Sequence, residues 1–384
     1  MYDQIREDTL FIMLYAVVTA TAMMASCYLL FRRGNAFAPD ITTPVRLRRW
    51  AAAFVASIAL NHIWYMPIFF LSSSEDARMC DLVGGLLDSI TIIPLAIVIL
   101  FTMLQDRRRP LWPVAVMVAP LVVGNVFSIA TLRYTFLSVL YVYFLLMCTG
   151  FILYMVHALR QYGRWLRDNY ADLEHKEVWQ SFVVLAIILL VLGIYVFTSD
   201  GPVYQYAMQI ILFVLTCYLL WRVETLSDLS MPVSDAEAPG DRFMAESLDQ
   251  PTSPFDPLSV RNRSVSPLGL SKNIEPLLKK YCEEPQLYLQ YDISLSQLAK
   301  QVGINRTYLS KHFALQGITY NAYINRLRIQ HFINLYHEVA ATHQPVTAQQ
   351  LAHQSGFRSY NTFSVAFKKI MGMNTTEWMR NVAE

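Results

Sequence analysis

Two short groups of polar residues stand at matching places in the last third of the chain. The first group is Arg306, Thr307, Ser310 and Lys311, and the second is Tyr360, Asn361 and Ser364. Hydroxyl, amide and ammonium groups exchange hydrogen bonds with base edges, and cationic groups bind phosphate oxygens. These residue types are therefore suited to contact with nucleic acid, provided that each group lies on an exposed helix edge.

The segments that carry the two groups repeat one pattern. Ser294–Gly303 leads into the first group, and Thr347–Gly356 leads into the second. The repeat aligns Leu298, Ala299 and Gly303 with Leu351, Ala352 and Gly356, and it aligns Leu309 and Phe313 with Phe363 and Phe367. Each copy predicts a helix, a tight turn near glycine and a second helix, which is the helix-turn-helix pattern.

The residue types explain why these elements should form. Ser294 and Thr347 are each followed three residues later by glutamine, which is the capping-box spacing at a helix start. Asn305 and Ser359 suit the N-cap of the second helix in each copy. The aligned Leu/Phe and Phe/Phe pairs lie four residues apart, so they should face inward and leave the polar groups outward.

Several spaced features over residues 271–381 resemble the AraC/XylS family of transcription regulators. They are the doubled motif, Gly317, the segment with Tyr323, Arg326 and Arg328, Ser355–Phe357, Phe367–Lys369, Gly372 and Trp378. The chain departs from the family pattern at Asn374–Thr375, where Ser-Pro is usual, and at Val365, where a polar reader is common. The resemblance implies a C-terminal all-α domain that binds double-stranded promoter DNA.

The alignment of the two motifs assigns a role to each candidate residue. Base readers are expected at Thr307, Ser310, Lys311, Tyr360, Asn361 and Ser364. Phosphate contacts are expected at Arg306, Arg358, Lys368 and Lys369. The competing interpretation is two ordinary helical hairpins, but the matched caps, glycines and inward pairs favour DNA binding.

The first 222 residues have a different composition. Hydrophobic residues make up 54% of the chain and are concentrated in long runs. Seven apolar segments are near 9–31, 51–71, 82–104, 111–132, 134–159, 181–199 and 203–221. Most reach the length that crosses a bilayer as a helix. The sequence predicts a polytopic transmembrane bundle of about seven helices, with six crossings as the alternative because the fourth and fifth segments nearly touch.

The distribution of arginine and lysine predicts the orientation of these segments. Twelve basic residues follow segments one, three and five: Arg32, Arg33, Arg46, Arg48, Arg49, Arg107, Arg108, Arg109, Arg160, Arg164, Arg167 and Lys176. The opposite side has Arg6, Arg78 and Arg133. We expect a bacterial inner-membrane protein with its N-terminus outside and its C-terminal domain in the cytoplasm.

Three polar residues inside the apolar segments are candidates for an intramembrane sensing site. They are Asn61, His62 and Asp88. Ionisable groups are costly inside a bilayer and usually face the bundle interior. They would either line a site for a small-molecule or membrane signal or simply form hydrogen bonds between helices.

Between the two halves, residues 223–270 are rich in proline, serine and acidic side chains, which is typical of a disordered linker. Net charge is +1 over residues 1–221, −4 over 222–270 and +5 over 271–384, so the positive excess lies on the doubled motif. The expected domains are a transmembrane domain (1–222), the linker (223–270) and the DNA-binding domain (271–384).

No catalytic or metal-binding motif was recognised, so we expect no enzyme activity and no cofactor. The sequence predicts a membrane-anchored one-component transcription regulator, with membrane lipid as a further partner and a homodimer as its state. Two alternatives remain open. One is a receptor or transporter-like bundle whose C-terminal domain binds a protein, and the other is a membrane enzyme with a DNA-binding appendage.

Overall fold

The computed structural model describes residues 8–71, 73–131, 136–184, 187, 202–229, 274–342 and 347–383. Over these ranges the protein is helical and contains no strand, apart from an isolated antiparallel bridge between Tyr170 and Ser294. This confirms the all-α class. The chain divides into two compact units, Met1–Tyr162 with His175–Met231 and Gly163–Glu174 with Pro232–Glu384.

The first part of the chain consists of long apolar helices. They are α1 (Thr9–Phe31), α2 (Val45–Tyr65), α3 (Ser74–Ile90), α4 (Ile92–Met103), α5 (Trp112–Thr131), α6 (Leu137–Asn169) and α7 (Pro202–Thr225). Among the described residues, six stretches are long and apolar enough to cross a membrane: Thr9–Phe31, Val45–Phe69, Glu75–Met103, Trp112–Thr131, Phe136–Asn169 and Gln205–Thr225. The segment predicted at 181–199 lies outside the described residues, except for 181–184 and 187.

Three predicted segments differ from the helices that form. The second begins at Val45 instead of 51, so the arginines of the preceding stretch belong to α2. The third is divided at Thr91, because Pro94 has no amide hydrogen to donate to the carbonyl of Ile90. The fifth continues beyond 159 to Asn169, because its more polar end keeps helix-forming residues.

The residues after α7 remain attached to the first unit. The amide of Asp228 donates to the carbonyl of Thr42 at 2.8 Å, and that of Ser227 donates to the carbonyl of His175 at 2.9 Å. Leu229 is buried and its amide donates to the side chain of Gln105. The first seven residues of the expected linker are thus ordered, and residues 230–270 lie outside the described part.

The second unit holds the doubled motif. Its helices are α8 (274–283), α9 (Leu295–Val302), α10 (Arg306–Leu315), α11 (Tyr320–Thr342), α12 (Ala348–Gln354), α13 (Tyr360–Met371) and α14 (Thr375–Ala383). The predicted caps form: Ser294 with Gln297, and Thr347 with Gln350, make reciprocal capping boxes. The sequence pattern therefore placed both helix-turn-helix motifs correctly.

Ile274, Leu277, Leu278 and Tyr281 follow the i, i+3, i+4, i+7 spacing, which predicts an amphipathic helix with all four residues inward, and this prediction is wrong for Tyr281. Ile274 and Leu278 are buried as the pattern requires, but Tyr281 is exposed and Cys282 is buried in its place. The last turn, Lys279–Glu283, is a π-helix. A π-turn holds more residues than an α-turn, so the inward position moves one residue along the chain.

Helix α11 contributes to two separate hydrophobic cores. Tyr320, Tyr323 and Ile324 pack into the core of the first motif with Leu298 and Leu309. Further along the helix, Ile329 and Phe332 pack into the core of the second motif. That core also contains Phe357, Phe363, Phe367 and Trp378. A single helix therefore links the two motifs.

Candidate functional sites

The N-terminal edge of α10 is exposed. Asn305 caps the helix by accepting a hydrogen bond from the amide of Thr307 at 2.8 Å. Leu309 and Phe313 are buried, which turns the opposite edge outward. On that edge Thr307 and Lys311 are exposed and Ser310 is half-buried. The structure thus places the three predicted base readers of the first motif beside one another.

The same edge of α13 is arranged differently. Ser359 caps the helix through the amide of Thr362 at 3.3 Å. Asn361 is exposed, Ser364 is half-buried and Val365 is 65% exposed. The half-buried ring of Tyr360 lies 5.6 Å from that of Phe363, so part of it belongs to the core. Asn361 therefore offers the most accessible polar group of this edge.

The four predicted phosphate contacts have different surroundings. Lys368 and Lys369 are exposed in the last turn of α13. The Arg358 guanidinium forms an ion pair with Asp292 at 3.0 Å. Arg306 is exposed, and its guanidinium donates to the side-chain oxygen of Asn169. The lysines need no rearrangement to meet a phosphate, whereas the two arginines would have to share or exchange their partners.

Arg328 is buried in α11, and the sequence did not identify its partners. Its Nε donates to the carbonyl of Tyr288 at 2.7 Å and its Nη2 to that of Gln290 at 2.8 Å. Its guanidinium lies 5.6 Å from the ring centre of Phe357. Burial lowers its pKa from the ordinary value, although arginine stays protonated at any physiological pH. Arg328 therefore joins the loop of the first motif to the core of the second.

Two further contacts fix the same loop to the second motif. The Tyr291 hydroxyl donates to the carbonyl of His353 at 3.2 Å. A Cβ added to Gly356 would lie 2.8 Å from both the Cα and the carbonyl oxygen of Leu289, so only glycine allows this approach. Together with Arg328, these contacts couple the two motifs beyond the link that α11 provides.

The short segment Gly163–Glu174, from the middle of the sequence, is part of this unit. The amide of Ala171 donates to the carbonyl of Ile293 at 3.2 Å, and the Asn321 side chain donates to the carbonyl of Ala171 at 2.5 Å. Ala171 is buried in the core of the first motif. The Thr362 hydroxyl donates to the Glu174 carboxylate. About 120 to 190 residues separate these partners in the sequence, so no local pattern could reveal the contacts.

Burial controls the protonation of several side chains around the first core. It raises the pKa of the Cys282 thiol to about 12, so this thiol stays protonated and unreactive at neutral pH. It also raises the pKa of Tyr323, whose hydroxyl donates to the Glu283 carboxylate at 3.0 Å. Burial lowers the pKa of His312, so its imidazole is neutral at pH 7.

The intramembrane candidates have two separate sets of hydrogen-bond partners. Asn61 donates to the Asp88 carboxylate at 2.8 Å, and Tyr65 donates to its other oxygen at 3.1 Å. His62 is buried and does not meet Asp88: its Nδ1 is 2.8 Å from the carbonyl of Ile58 and its Nε2 is 2.8 Å from the side-chain oxygen of Gln209. Asn61 and Asp88 line a cavity of about 810 Å³, together with Tyr15, Tyr65 and Gln209. Over the described residues, no cluster of His, Cys, Asp and Glu could hold a metal ion.

Comparison with known proteins supports the assignment of the C-terminal part. Residues 298–381 match the family model of the helix-turn-helix domain, in its AraC-type form. An uncharacterised HTH-type transcriptional regulator of Staphylococcus aureus (strain MRSA252) is 32% identical over 92 residues, which are 24% of this chain and 12% of the relative. The HTH-type transcriptional activator RhaR of Salmonella heidelberg (strain SL476) is 30% identical over 105 residues, which are 27% of this chain and 36% of the relative.

These relatives are similar to the C-terminal region alone, and the chain spans between about an eighth and about a third of their length. No solved structure matches the chain. The shared region is an AraC-type helix-turn-helix domain, which indicates DNA binding and transcription regulation for this region.

Proposed function

We propose that this protein is a membrane-anchored one-component transcription regulator. Its C-terminal unit would bind double-stranded promoter DNA, and its transmembrane half would sense a signal. The main support is that Thr307 and Lys311 are exposed on α10 and that Asn361 is exposed on α13. In each motif these residues lie on the outward edge of the second helix. A helix that enters a major groove presents this edge to the bases.

The coupling between the motifs supports the use of both on one DNA site. Helix α11 contributes to both cores, and Arg328 joins the loop of one motif to the other. Such a rigid link would hold the two recognition helices about one DNA turn apart, roughly 34 Å. The proposed base readers are Thr307, Ser310, Lys311, Tyr360, Asn361 and Ser364, and the proposed phosphate contacts are Arg306, Arg358, Lys368 and Lys369.

The membrane assignment is supported by the six stretches of sufficient length and hydropathy among the described residues. We propose a transmembrane domain at 1–222, a linker at 223–270 and a DNA-binding domain at 271–384, and the first seven residues of this linker are those that remain attached to the first unit. The protein would lie in a bacterial inner membrane with the N-terminus outside and the C-terminal unit in the cytoplasm. The basic residues that follow the first, third and fifth segments support this orientation.

A flexible linker and a homodimer would together explain transmission of the signal. About 40 residues of coil reach ~35 Å, which is enough for the DNA-binding unit to search near the membrane. Dimerisation of the membrane half would raise the local concentration of two DNA-binding units and so increase their joint occupancy of a promoter. The signal would thus control the distance between two copies.

The test uses the full chain in nanodiscs with DNA taken from upstream of its own gene. We expect a retarded complex whose affinity falls steeply with salt, because bound cations are released from the phosphates. The double variant Thr307→Ala/Asn361→Ala should lose preference for that DNA over a scrambled duplex while keeping its salt dependence. If the purified chain binds no duplex but captures a protein partner through the exposed Val365 edge, the receptor-like alternative replaces this proposal.

A further inference from the structure

The cavity of the first unit contains the carboxylate of Asp88, and its hydrogen-bond donors are neutral side chains. Asp88 accepts hydrogen bonds from the amide of Asn61 and the hydroxyl of Tyr65. Within the described part of the chain, no basic side chain forms an ion pair with it. An intramembrane carboxylate is costly unless a positive charge or a proton offsets it. The arrangement leaves room for that positive charge to come from a ligand.

The other charged residues of the cavity, Arg78 and Asp81, lie nearer the N-terminus of the same helix. They are three residues apart, so they face each other across one turn of α3. Arg78 is ten residues from Asp88, or about 15 Å along the helix axis. The three charges sum to −1, and the negative excess lies at Asp88.

The remaining walls suit an apolar body that carries a cation. Tyr15 and Tyr65 place aromatic rings on the cavity, and aromatic faces attract ammonium groups. Apolar side chains also line the cavity, among them Leu121, Leu140, Phe144, Met208 and Leu212. The volume of about 810 Å³ is that of a small-molecule site. A hydrophilic ion alone would leave these apolar side chains without a partner.

We propose that this cavity binds an amphipathic molecule that carries one ammonium-like group, with that group at Asp88 and its apolar body against the apolar side chains of the lining. This proposal gives a ligand class for the sensing role proposed above, and any effect of the ligand on transcription depends on that role. The same ammonium chemistry is found in free hydrophobic amines and in the headgroup of phosphatidylethanolamine, so the experiment must separate these two sources.

The probe is radiolabelled tetraphenylphosphonium, measured by scintillation proximity on the full chain in dodecyl maltoside micelles. Asp88→Asn removes the charge with almost no change of shape. Asp76→Asn is the matched control, because Asp76 is exposed on the same helix and does not line the cavity. We expect the Asp88→Asn affinity to fall about tenfold or more, since a desolvated charge pair loses one partner. Asp76→Asn should stay close to the parent affinity. Tetraphenylborate, which has the same shape and the opposite charge, should not compete.

A second variant keeps the carboxylate and fills the space. A Cβ at Gly85 would lie 3.7 Å from the nearest described atom, the side-chain oxygen of Asn125, so the backbone tolerates a side chain there. Gly85 lines the cavity, and Gly85→Leu should therefore block the probe while Asp88 stays in place. This variant decides the question if Asp88→Asn does not elute as a folded monodisperse species.

The outcomes are distinct. Competition by phosphatidylethanolamine but not by phosphatidylglycerol assigns the site to a lipid headgroup, and no competition by either assigns it to a free amine. Unchanged probe binding in both Asp88→Asn and Gly85→Leu, or equal competition by tetraphenylborate, would overturn the proposal. Because no DNA is present, this failure is independent of promoter binding. If the probe binds at Asp88 but leaves promoter occupancy unchanged, the site stands and the sensing role fails.

Discussion

The hydroxyl of Thr362 donates a hydrogen bond to the carboxylate of Glu174, with 3.2 Å between Oγ1 and Oε2. Thr362 lies in the first turn of α13, directly after the proposed base reader Asn361. A carboxylate here repels an approaching phosphate backbone. We predict that Glu174→Gln raises DNA affinity about two- to fivefold, or ~0.5–1 kcal/mol, in a titration at low salt.

Glu284→Gln is the matched control for this change, because Glu284 is exposed in the same unit and carries the same charge. It should alter affinity much less. Equal gains in the two variants would show that only net charge matters and that Glu174 has no special position at the reading edge.

A second prediction separates base reading from phosphate binding with two exposed lysines. Lys311→Ala should cost ~1–3 kcal/mol on the preferred site and relax specificity at one base position. Lys368→Ala should weaken binding to all duplexes about equally and reduce the salt slope by about one. Footprint titrations on matched and mismatched sites distinguish them, and identical profiles would refute this division of roles.

The third prediction concerns the buried guanidinium between the two motifs. Arg328→Met should leave the carbonyls of Tyr288 and Gln290 without their donor and destabilise the unit by about 3 kcal/mol. Arg326→Met, at an exposed position of the same helix, should change stability by less than about 0.5 kcal/mol. The free energy of opening of α11, from amide hydrogen exchange on the full chain, is the measurement. A similar loss in both variants would contradict the structural role of Arg328.

The fourth prediction compares two glycines at corresponding places in the repeat. Both have positive φ, 75° at Gly303 and 84° at Gly356. A Cβ meets nothing within 4 Å at Gly303, but at Gly356 it meets the backbone of Leu289 at 2.8 Å. Gly303→Ala should cost ~1–2 kcal/mol from backbone strain alone. Gly356→Ala should cost clearly more, because the loop that couples the motifs must move.

Amide hydrogen exchange, measured in each motif of the two glycine variants, tests this difference in stability. Gly303→Ala should speed amide exchange in the first motif alone. Gly356→Ala should speed it in the loop near Leu289 as well as in the second motif. Equal and strictly local effects would show that the close approach at Gly356 carries no coupling.

The fifth prediction concerns pH. Burial lowers the pKa of His312 below its ordinary value of 6.5, and Glu275 partly opposes this. The unfolded chain therefore takes up a proton at a higher pH than the folded one. The stability of the first motif should be fully present above about pH 6.5 and should fall as the pH drops below it.

His312→Gln should flatten part of this dependence when exchange of residues 306–315 is compared at pH 7.5 and 5.5. The remaining slope belongs to groups such as His331, whose pKa burial also lowers. An unchanged slope in the variant would show that His312 does not titrate in this range.

Local patterns predicted much of the DNA-binding unit. The capping boxes at Ser294 and Thr347 and the inward pairs at Leu309 and Phe363 act over three or four residues, so their consequences can be read from spacing. The spacing predicted the burial of Tyr281 wrongly, because a π-helical turn changes the helical period and no residue type in the sequence indicates such a turn. The sequence named Asn61, His62 and Asp88 as one set of candidates, and their partners could not be predicted from it: Asn61 meets Asp88, while His62 meets Gln209.

The sequence by itself determined the two helix-turn-helix motifs, their exposed polar edges and the long apolar helices. Each of these depends on hydrophobic periodicity and caps within one element. Only the tertiary structure decided that Arg328 couples the motifs, that Glu174 meets Thr362 and that Asp88 lines a cavity with neutral partners. These contacts join residues that are 27, 40 and 188 positions apart in the sequence. They form only when whole helices pack together, and local residue preferences do not determine how the helices pack.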